Sequence, residues 1–405
     1  MNKGKTIIRL MGVMGLTGLM VLIGCSEEQA GDNNSRLSLE AVPCASMFVD
    51  EAEKDVTRAW VPPSPYVTYN NINSKFVQQK DLVNKTIDVF FTQDGQTPLQ
   101  GTFSYKSYDS SWRLNPEIEL NSAPYYLYGY IPKEDAGSAS ISPNGTYHNG
   151  VVLTINGLNA VTPSDVCVII GAKDGNADNN NYDENTSYTV TGLAPGKFDI
   201  QFNSGENAKN YFFLLFDHLY SALRFRFTVH PDYAALRTIK LRKLELTSYQ
   251  DNQGTGVKAK YNATITLKSN TAGTSPIVGS VTFTADQTSA NVSQAPIFEG
   301  EVKLPVYPER PEEFLGCFVP GDYHHFKLRS TYDVYDNNKT VEHPDGNLIR
   351  QGCQAENSFD LTKKFGNELQ VTRGHSYSYT ITVQPTYLYM LSEPDMDNPT
   401  LTIDN

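Results

Sequence analysis

The chain carries little charge and has no cluster of basic residues. Only 19% of its 405 residues are charged, and 45 acidic side chains outnumber 33 basic ones, which gives a net charge of −12. Binding to a phosphate backbone depends on clustered Lys and Arg. The sequence therefore predicts no nucleic-acid partner.

Cysteine is scarce, and its spacing does not suit a metal. The five cysteines are Cys25, Cys44, Cys167, Cys317 and Cys353. None of them form the C-x-x-C spacing that is typical of zinc sites, so a zinc site is disfavoured. Two interpretations of Cys317 and Cys353 stay open: a disulfide formed in an oxidising compartment, and a pair of buried free thiols.

Catalytic motifs are also missing. The sequence contains no Gly-x-Ser-x-Gly, His-Glu-x-x-His or Walker A pattern. Acidic residues are plentiful, but nothing selects the pair of carboxylates that a glycosidase needs. We therefore expect no enzymatic activity, no catalytic residues, no cofactor and no metal.

Long helical periodicity is absent, and short strand-like runs take its place. The chain is rich in Tyr (24), Gly (29) and Pro (22), a composition typical of secreted all-β proteins. Apolar runs at 86–91, 125–131 and 151–155 are separated by turn signals such as Asp94-Gly95. This pattern predicts β-sandwich architecture, with a domain boundary near residue 210.

The N-terminus has the pattern of an export signal. Basic residues precede an apolar run over 10–23, which is shorter than the roughly 20 residues that a membrane span needs. The run closes on 22–25 (LIGC), which resembles a bacterial lipobox. We expect residues 1–24 to be a signal peptide and Cys25 to become the lipidated first residue.

A strand and a cleavable segment are predicted between Cys25 and the proline-rich stretch after Arg58. Residues 36–42 (RLSLEAV) alternate apolar and polar side chains, the pattern of a half-buried strand. Arg58 precedes a proline-rich stretch over 61–65, which continues neither a strand nor a helix. Arg58 is therefore expected in an exposed, extended segment of the kind that proteases cut.

The C-terminus ends in apolar residues that need a partner. A predicted strand over 377–383 is closed by Pro385, and a further segment follows over 386–405. Its side chains would alternate between two faces, as those of a strand do. The apolar residues that we expect to anchor it are Tyr387, Leu388, Tyr389, Met390 and Leu391.

Four features, taken in order along the chain, resemble the fimbrillin family of lipoprotein precursors. That family supplies type V pilus subunits to Gram-negative gut and oral bacteria. The features are the lipobox over 22–25, the segment 35–41 (SRLSLEA) followed by Arg58, the block 216–225 (FDHLYSALRF) and the ending from Gly374 through 387–389.

The resemblance implies a fold, and one of the blocks that carry it contains a histidine. The fold is all-β, with two transthyretin-like β-sandwich domains of Greek-key-type topology over 59–210 and 211–385, followed by a donor segment over 386–405. His218, within the block 216–225, is expected to be a packed, hydrogen-bonded residue at the junction between the domains.

The resemblance also implies an assembly route. The precursor reaches the outer membrane by its lipid, and an arginine-specific protease cuts between Arg58 and Ala59. Residues 25–58 are then a lipidated propeptide with a removable strand. Loss of the strand near 36–42 opens an apolar groove, and the segment 386–405 of another subunit fills it. The product is an extracellular pilus on the cell surface that supports adhesion and whose partners are other pilus subunits.

A second hypothesis, from a different class, is a lipid-anchored adhesin that binds a host glycan or protein and never polymerises. Stacking of aromatic side chains on sugars would carry it, and a strand with core contacts explains the same residues equally well. The candidates are Tyr125, Tyr126, Tyr128 and Tyr130. The N-terminus of the surface form separates the hypotheses, because it is Ala59 for a pilus subunit and acylated Cys25 for the adhesin.

Overall fold

The protein folds almost entirely into β-strands, as the sequence predicts. The computed structural model describes residues 37–40, 48–49, 86–106, 111–116, 121, 123–175, 182–183, 187–188, 194–201, 210–250, 254–270, 277–321, 325–361, 363–364, 367–368, 371–385 and 394–404. Within these residues, helical structure is limited to a 3₁₀ turn at Lys133–Asp135 and a single-turn helix, α1, at Pro231–Ala234. No helix in this part of the chain is long and apolar enough to cross a membrane.

The strands as far as residue 218 range in length from two residues to fourteen. They are β1 (Leu37–Glu40), β2 (Phe48–Val49), β3 (Thr86–Thr92), β4 (Leu99–Lys106), β5 (Ser111–Asn115), β6 (Tyr125–Ile131), β7 (Ser138–Asn144), β8 (Thr146–Asn159), β9 (Val161–Thr162), β10 (Cys167–Gly175), β11 (Tyr182–Asp183), β12 (Ser187–Tyr188), β13 (Asp199–Ile200) and β14 (Asn210–His218).

The strands after residue 218 are longer on the whole. They are β15 (Ser221–Val229), β16 (Arg237–Tyr249), β17 (Lys260–Lys268), β18 (Val278–Ala285), β19 (Ser293–Lys303), β20 (Glu312–Phe318), β21 (His325–Asp336), β22 (Leu348–Asp360), β23 (Lys363–Lys364), β24 (Asn367–Glu368), β25 (His375–Pro385) and β26 (Pro394–Asp404). The pairs β11–β12 and β23–β24 form small sheets of their own.

The first sandwich is built from two sheets. One has the strand order β1-β14-β10-β6-β3-β4-β5, with β13 also paired to β6, and the other has the order β18-β17-β8-β7. Successive side chains of a strand point to opposite faces, and the inward ones form one hydrophobic cluster. Its members include Tyr128 and Tyr130 from β6, Leu153 and Ile155 from β8, Val168 from β10 and Ile265 from β17.

The second sandwich has the same two-sheet plan. One sheet has the order β2-β25-β15-β20-β9, with β26 also paired to β25, and the other has the order β19-β16-β21-β22. Aromatic rings fill the space between them, with the Phe225 and Phe359 ring centroids 5.3 Å apart and those of Phe359 and Tyr379 4.6 Å apart. These rings belong to a second hydrophobic cluster.

The chain passes repeatedly between the two sandwiches. Among the described strands, the crossings fall between β1 and β2, β2 and β3, β8 and β9, β9 and β10, β14 and β15, β16 and β17, and β18 and β19. The hairpin of β17 and β18 follows two strands of the second sandwich in the chain, yet residues 260–268 of β17 pair with β8 in the first sandwich. Strand pairing therefore runs across the boundary predicted near residue 210.

Two strands predicted near the two ends of the chain are present. β1 lies within the predicted segment 36–42, and β25 contains the predicted strand 377–383. The all-β class is confirmed, whereas the transthyretin-like topology and the domain limits stay predictions.

Cys317 and Cys353 are free thiols. Cys317 is buried in the first hydrophobic cluster and Cys353 in the second, so the two side chains belong to different cores. Of the two interpretations that the sequence left open, the structure shows the buried free thiols.

Candidate functional site

The first candidate surface is the edge of the first sandwich that β1 covers. β1 pairs in parallel with residues 210–213 of β14, and β10 pairs with the other side of β14 over 211–218. Without β1, the backbone N–H and C=O groups on that side of β14 would be open to another strand. We call this surface the β14 edge.

β14 is held firmly by the core of the first sandwich. Its sequence (NYFFLLFDH) is a nearly continuous apolar run, as expected of a strand that is buried on both faces. Leu214, Leu215 and Phe216 are all buried, and Leu215 belongs to the first hydrophobic cluster. β14 is thus anchored in the core over 214–216, and a strand with one open side can act as a template for strand addition.

The second candidate surface is one side of β25 in the second sandwich. β15 pairs in parallel with the opposite side over 376–383. The side in question is shared by segments from the two ends of the chain, because β2 pairs with it at 375–376 and β26 pairs with it over 378–385. We call this surface the β25 edge.

β25 itself is part of the second core. Tyr379, Ile381 and Val383 alternate along it and are buried. In the antiparallel ladder with β26, Tyr379 lies opposite Ile403 and Ile381 lies opposite Leu401. The C-terminal segment is therefore docked on its own chain in this conformation.

Polar contacts fasten the end of β14 to the start of β25. Arg373 Nη1 donates to Asp217 Oδ2 at 2.6 Å and to the carbonyl of His218 at 2.8 Å. The Gly374 N–H donates to the carbonyl of Tyr220 at 2.7 Å. The two candidate edges are therefore joined at the turn between β14 and β15.

A buried polar cluster lies where β14 ends. His218 Nδ1 lies 2.5 Å from Asp165 Oδ2 and 3.5 Å from Cys167 Sγ. Asp165 is in the loop between β9 and β10, and Cys167 begins β10 as the register partner of His218. All three residues are buried, and their ligand atoms lie within 4.8 Å of one another. The prediction of His218 as a packed, hydrogen-bonded residue is confirmed.

The tyrosines of β6 serve mainly as core residues. Tyr125, Tyr128 and Tyr130 are at most 3% exposed, and Tyr126 is half-buried. The Tyr128 hydroxyl donates to the carbonyl of Tyr147 at 2.5 Å. Burial raises the pKa of both Tyr128 and Tyr130. The core interpretation is confirmed for three of the four tyrosines, which removes most of the stacking surface that the adhesin hypothesis needs.

An ion-pair network joins β16 and β19 of the second sandwich to the loop before β22. Lys240 Nζ lies 2.6 Å from Glu301 Oε1 and 2.8 Å from Asp345 Oδ2, and Lys303 Nζ lies 3.3 Å from Asp345 Oδ1. Hydrogen bonds to Asp345 and Glu301 raise the pKa of Lys240 to about 12. The same contacts lower the pKa of both carboxyl groups. The network is distant in sequence from both candidate edges.

The residues predicted for processing and for strand donation lie outside the described part of the chain. They are Cys25, Arg58, Ala59, Tyr387, Leu388, Tyr389, Met390 and Leu391. The strands β1 and β2, which lie between Cys25 and Arg58, are described, and so is β26, which follows Leu391.

Sequence reasoning missed two features of these surfaces. β2 spans only two residues, too few for any periodic signal. Asp165 and Cys167 lie more than 50 positions before His218, and only the pairing of β10 with β14 brings them together. The one signal that pointed to this place was the block 216–225, which contains His218.

No protein-family profile matches the chain, and no curated protein matches it in sequence. Among solved structures, a candidate cell adhesion protein from Bacteroides fragilis is 13% identical with a TM-score of 0.37, over 92% of this chain and 97% of that one. A fimbrial protein from Bacteroides vulgatus is 10% identical with a TM-score of 0.32, over 80% of this chain and 93% of that one.

A candidate cell adhesion protein from Bacteroides uniformis gives similar values. It is 11% identical with a TM-score of 0.31, over 82% of this chain and 95% of that one. At these identities and TM-scores, the likeness assigns neither a family nor a function to the chain.

Proposed function

We propose that the chain is the precursor of a structural subunit of a cell-surface fimbria. It is exported as a lipoprotein, is held at the outer membrane by the lipid on Cys25, and is cut between Arg58 and Ala59 by an arginine-specific protease. The cut subunit polymerises by strand exchange with other pilus subunits and supports adhesion to a host glycan or protein. This role requires no catalysis.

The observation that carries the proposal is the pairing of β1 with the β14 edge. β1 comes from the segment that precedes Arg58, and it is the outermost strand of its sheet. Loss of an outermost strand breaks no other strand pair in the sheet. Cleavage after Arg58 would separate β1 from the rest of the chain and open the β14 edge to a strand from another subunit.

The short length of β1 favours its release. β1 has four residues and β2 has two. At about 0.5–1.5 kcal/mol for the backbone hydrogen bond of each residue, the two strands together contribute about 3–9 kcal/mol. Association of a free peptide costs about 4–15 kcal/mol in lost translational and rotational freedom. In the intact chain, the covalent tether supplies an effective concentration on the order of millimolar. Cleavage removes that advantage, so the backbone ladder no longer holds β1.

The same cut would also change the β25 edge. β2 lies before Arg58, and its loss frees residues 375–376, next to Ser378, where the end of β26 pairs. β26 spans eleven residues, against four for β1. A donor that includes β26 therefore offers a longer ladder to the β14 edge of the next subunit than the strand it replaces.

The proposal is tested by cutting the purified, lipidated precursor with an arginine-specific protease and running the products on SDS gels without boiling. The chain offers a matched control, because Arg36 precedes β1 while Arg58 follows both β1 and β2. A cut after Arg36 removes the lipid but leaves β1 in place. We expect SDS-resistant ladders from Arg36→Lys, in which the Arg58 site remains, and only monomers from Arg58→Lys.

Two outcomes would contradict the proposal. One is a normal ladder from Arg58→Lys, and the other is monomers alone after complete cleavage of Arg36→Lys. Mass spectrometry of the N-terminus of the cell-surface form supplies an independent measurement. Ala59 supports the fimbrial subunit, and acylated Cys25 supports the lipid-anchored adhesin.

A further inference from the structure

The geometry points to a metal site formed by Asp165, Cys167 and His218, which would take a divalent ion of the zinc type. The three side chains offer a thiolate sulfur, an imidazole nitrogen and a carboxylate, a donor set that Zn²⁺ accepts in proteins. The sequence disfavoured a zinc site because no C-x-x-C is present. That spacing is not needed here, because folding brings the ligands together from separate parts of the chain.

The distances suit a small ion with modest adjustment. The separation of 3.5 Å between Cys167 Sγ and His218 Nδ1 is close to the separation of about 3.6 Å expected for nitrogen and sulfur on one tetrahedral zinc. Asp165 Oδ2 and Nδ1 are 2.5 Å apart, a hydrogen-bond distance. A shift of Asp165 Oδ2 by about 1 Å would lengthen its distance from His218 Nδ1 to that expected of two ligands on the same zinc ion.

One atom of the cluster points independently to a ligand. The Asp165 side chain is 1% exposed, and its Oδ1 has no hydrogen-bond partner among the described residues. Leaving a buried acceptor without a partner costs about 1–3 kcal/mol. Bidentate coordination would use Oδ1 together with Oδ2. With Sγ and Nδ1, this gives four donor atoms from three residues.

The charges of the cluster also match a divalent cation. Ionised Asp165 and Cys167 carry two negative charges between them, which a divalent ion neutralises, whereas burial of uncompensated charge is costly. Arg373, which contacts the His218 carbonyl, is already paired with Asp217 at 2.6 Å. Coordination needs a deprotonated thiol and a deprotonated Nδ1, so protons leave the site as the ion enters.

The position of the site suggests what a bound ion would do. Cys167 and His218 are register partners on β10 and β14, so the ion would cross-link the two strands on the side of β14 away from β1. Asp165 lies in the same loop as the exposed Pro163, two residues after it. The ion would hold β14 in its sheet whether or not the chain polymerises.

The test uses the full chain, purified with its lipid in detergent and stripped of metal with a chelator. Co²⁺ serves as the spectroscopic probe and Zn²⁺ as the competitor. We expect saturation at about one equivalent, with a thiolate-to-cobalt charge-transfer band in the near ultraviolet that Zn²⁺ removes. Zn²⁺ should also raise the Tm, because it binds the folded state.

Variants locate the site. Cys167→Ser should lose the charge-transfer band, and Asp165→Asn, which keeps one coordinating oxygen, should bind Co²⁺ at least about tenfold more weakly. Cys317→Ser is the matched control, because Cys317 is an equally buried free thiol outside the set, and it should keep the band. So should Cys44→Ser.

The proposal is overturned by a folded wild-type protein that shows no charge-transfer band at saturating Co²⁺. It is also overturned by a band that persists in Cys167→Ser or disappears in Cys44→Ser. The wild-type titration decides the first point even if a variant fails to fold.

Discussion

The β14 edge and the β25 edge are both covered by an added strand, but the two covers differ in length, direction and origin. The first is β1, four residues in parallel, from the segment before Arg58. The second is mainly β26, eleven residues in antiparallel pairing, from the C-terminus. Parallel pairing is slightly less stable per residue than antiparallel pairing. The cover of the β14 edge is therefore the weaker one.

This difference suits a precursor that must stay monomeric until it is processed. An open edge on an apolar strand is an aggregation hazard during export, so both edges need a cover. Under the proposed function, the β14 edge opens first, when cleavage releases β1, and the β25 edge opens only when β26 is donated. The weaker strand covers the edge that opens first, and the longer strand belongs to the segment that is later donated.

The largest expected effect comes from removing the donor. Deletion of 386–405 should abolish SDS-resistant polymers, because no subunit then has a strand to donate. Cleavage after Arg58 should be unaffected, because the deletion changes neither Arg58 nor the β14 edge. Mixed with wild-type subunits, the truncated chain should accept a tail but offer none, and the ladder should shorten as its share rises. An unchanged ladder in the mixture would show that the tail and the β14 edge do not meet.

The next effect concerns the core beneath the β25 edge. Phe225→Ala should lower the free energy of unfolding by about 3–5 kcal/mol, because it removes a fully buried ring that packs on Phe359. Denaturant unfolding measures the change. Phe225→Leu, which keeps most of the volume, should cost less than about 1.5 kcal/mol; an equal loss in both variants would point to a cause other than packing.

The corresponding change in the first sandwich is Ile265→Ala, on the hairpin that returns from the second. We expect a loss of about 2–5 kcal/mol in the free energy of unfolding. Thr264, the neighbour of Ile265 on β17, is exposed, so Thr264→Ala is the control and should cost less than about 0.5 kcal/mol. Because the chain crosses between the sandwiches, Ile265→Ala and Phe225→Ala should shift one common transition. Two separate transitions would instead support independent domains divided near residue 210.

The smallest effect is electrostatic. The hydrogen bond from Lys240 holds the pKa of Asp345 below its ordinary value of 3.8, so the ion pair stabilises the folded state above that value. The contribution is lost as the pH falls from 3.8 through the lowered pKa. Asp345→Asn should cost about 0.2–1 kcal/mol at neutral pH, and the difference from wild type should vanish in acid.

Thermal unfolding measured across the pH range checks this. Glu342→Gln is the control, because that side chain is exposed in the same loop, and its unfolding should follow the wild type at every pH. A difference for Asp345→Asn that grows in acid would contradict the assigned role of the pair.

Strand positions could be predicted from alternation, because the two faces of these strands meet different surroundings. β6 spans Tyr125–Ile131 as predicted, and β3 spans Thr86–Thr92 against a predicted 86–91. Along β19, over Ser293–Lys303, the alternation of buried and exposed side chains is less regular. Register shifts in its pairing with β16 interrupt the alternation there.

The choice of partner for each strand was beyond the sequence. Alternation says which face of a strand is buried, but it does not say which sheet covers that face. β17 and β18 are recognisable as strands, yet only tertiary packing decides that they join β8. The same limit hid the cluster of Asp165, Cys167 and His218, whose members meet through the register of two distant strands.

The repeated crossings between the sandwiches have a mechanical consequence. In the proposed filament, tension enters a subunit at its β14 edge and leaves through its C-terminal tail. If one linker joined the two sandwiches, that tension would pull them apart and stretch the linker. Here, separation would require β17 to be sheared from β8 along the ladder over 260–268, which breaks many hydrogen bonds at once. The hairpin of β17 and β18 therefore lets the two sandwiches resist tension as one mechanical unit in the filament.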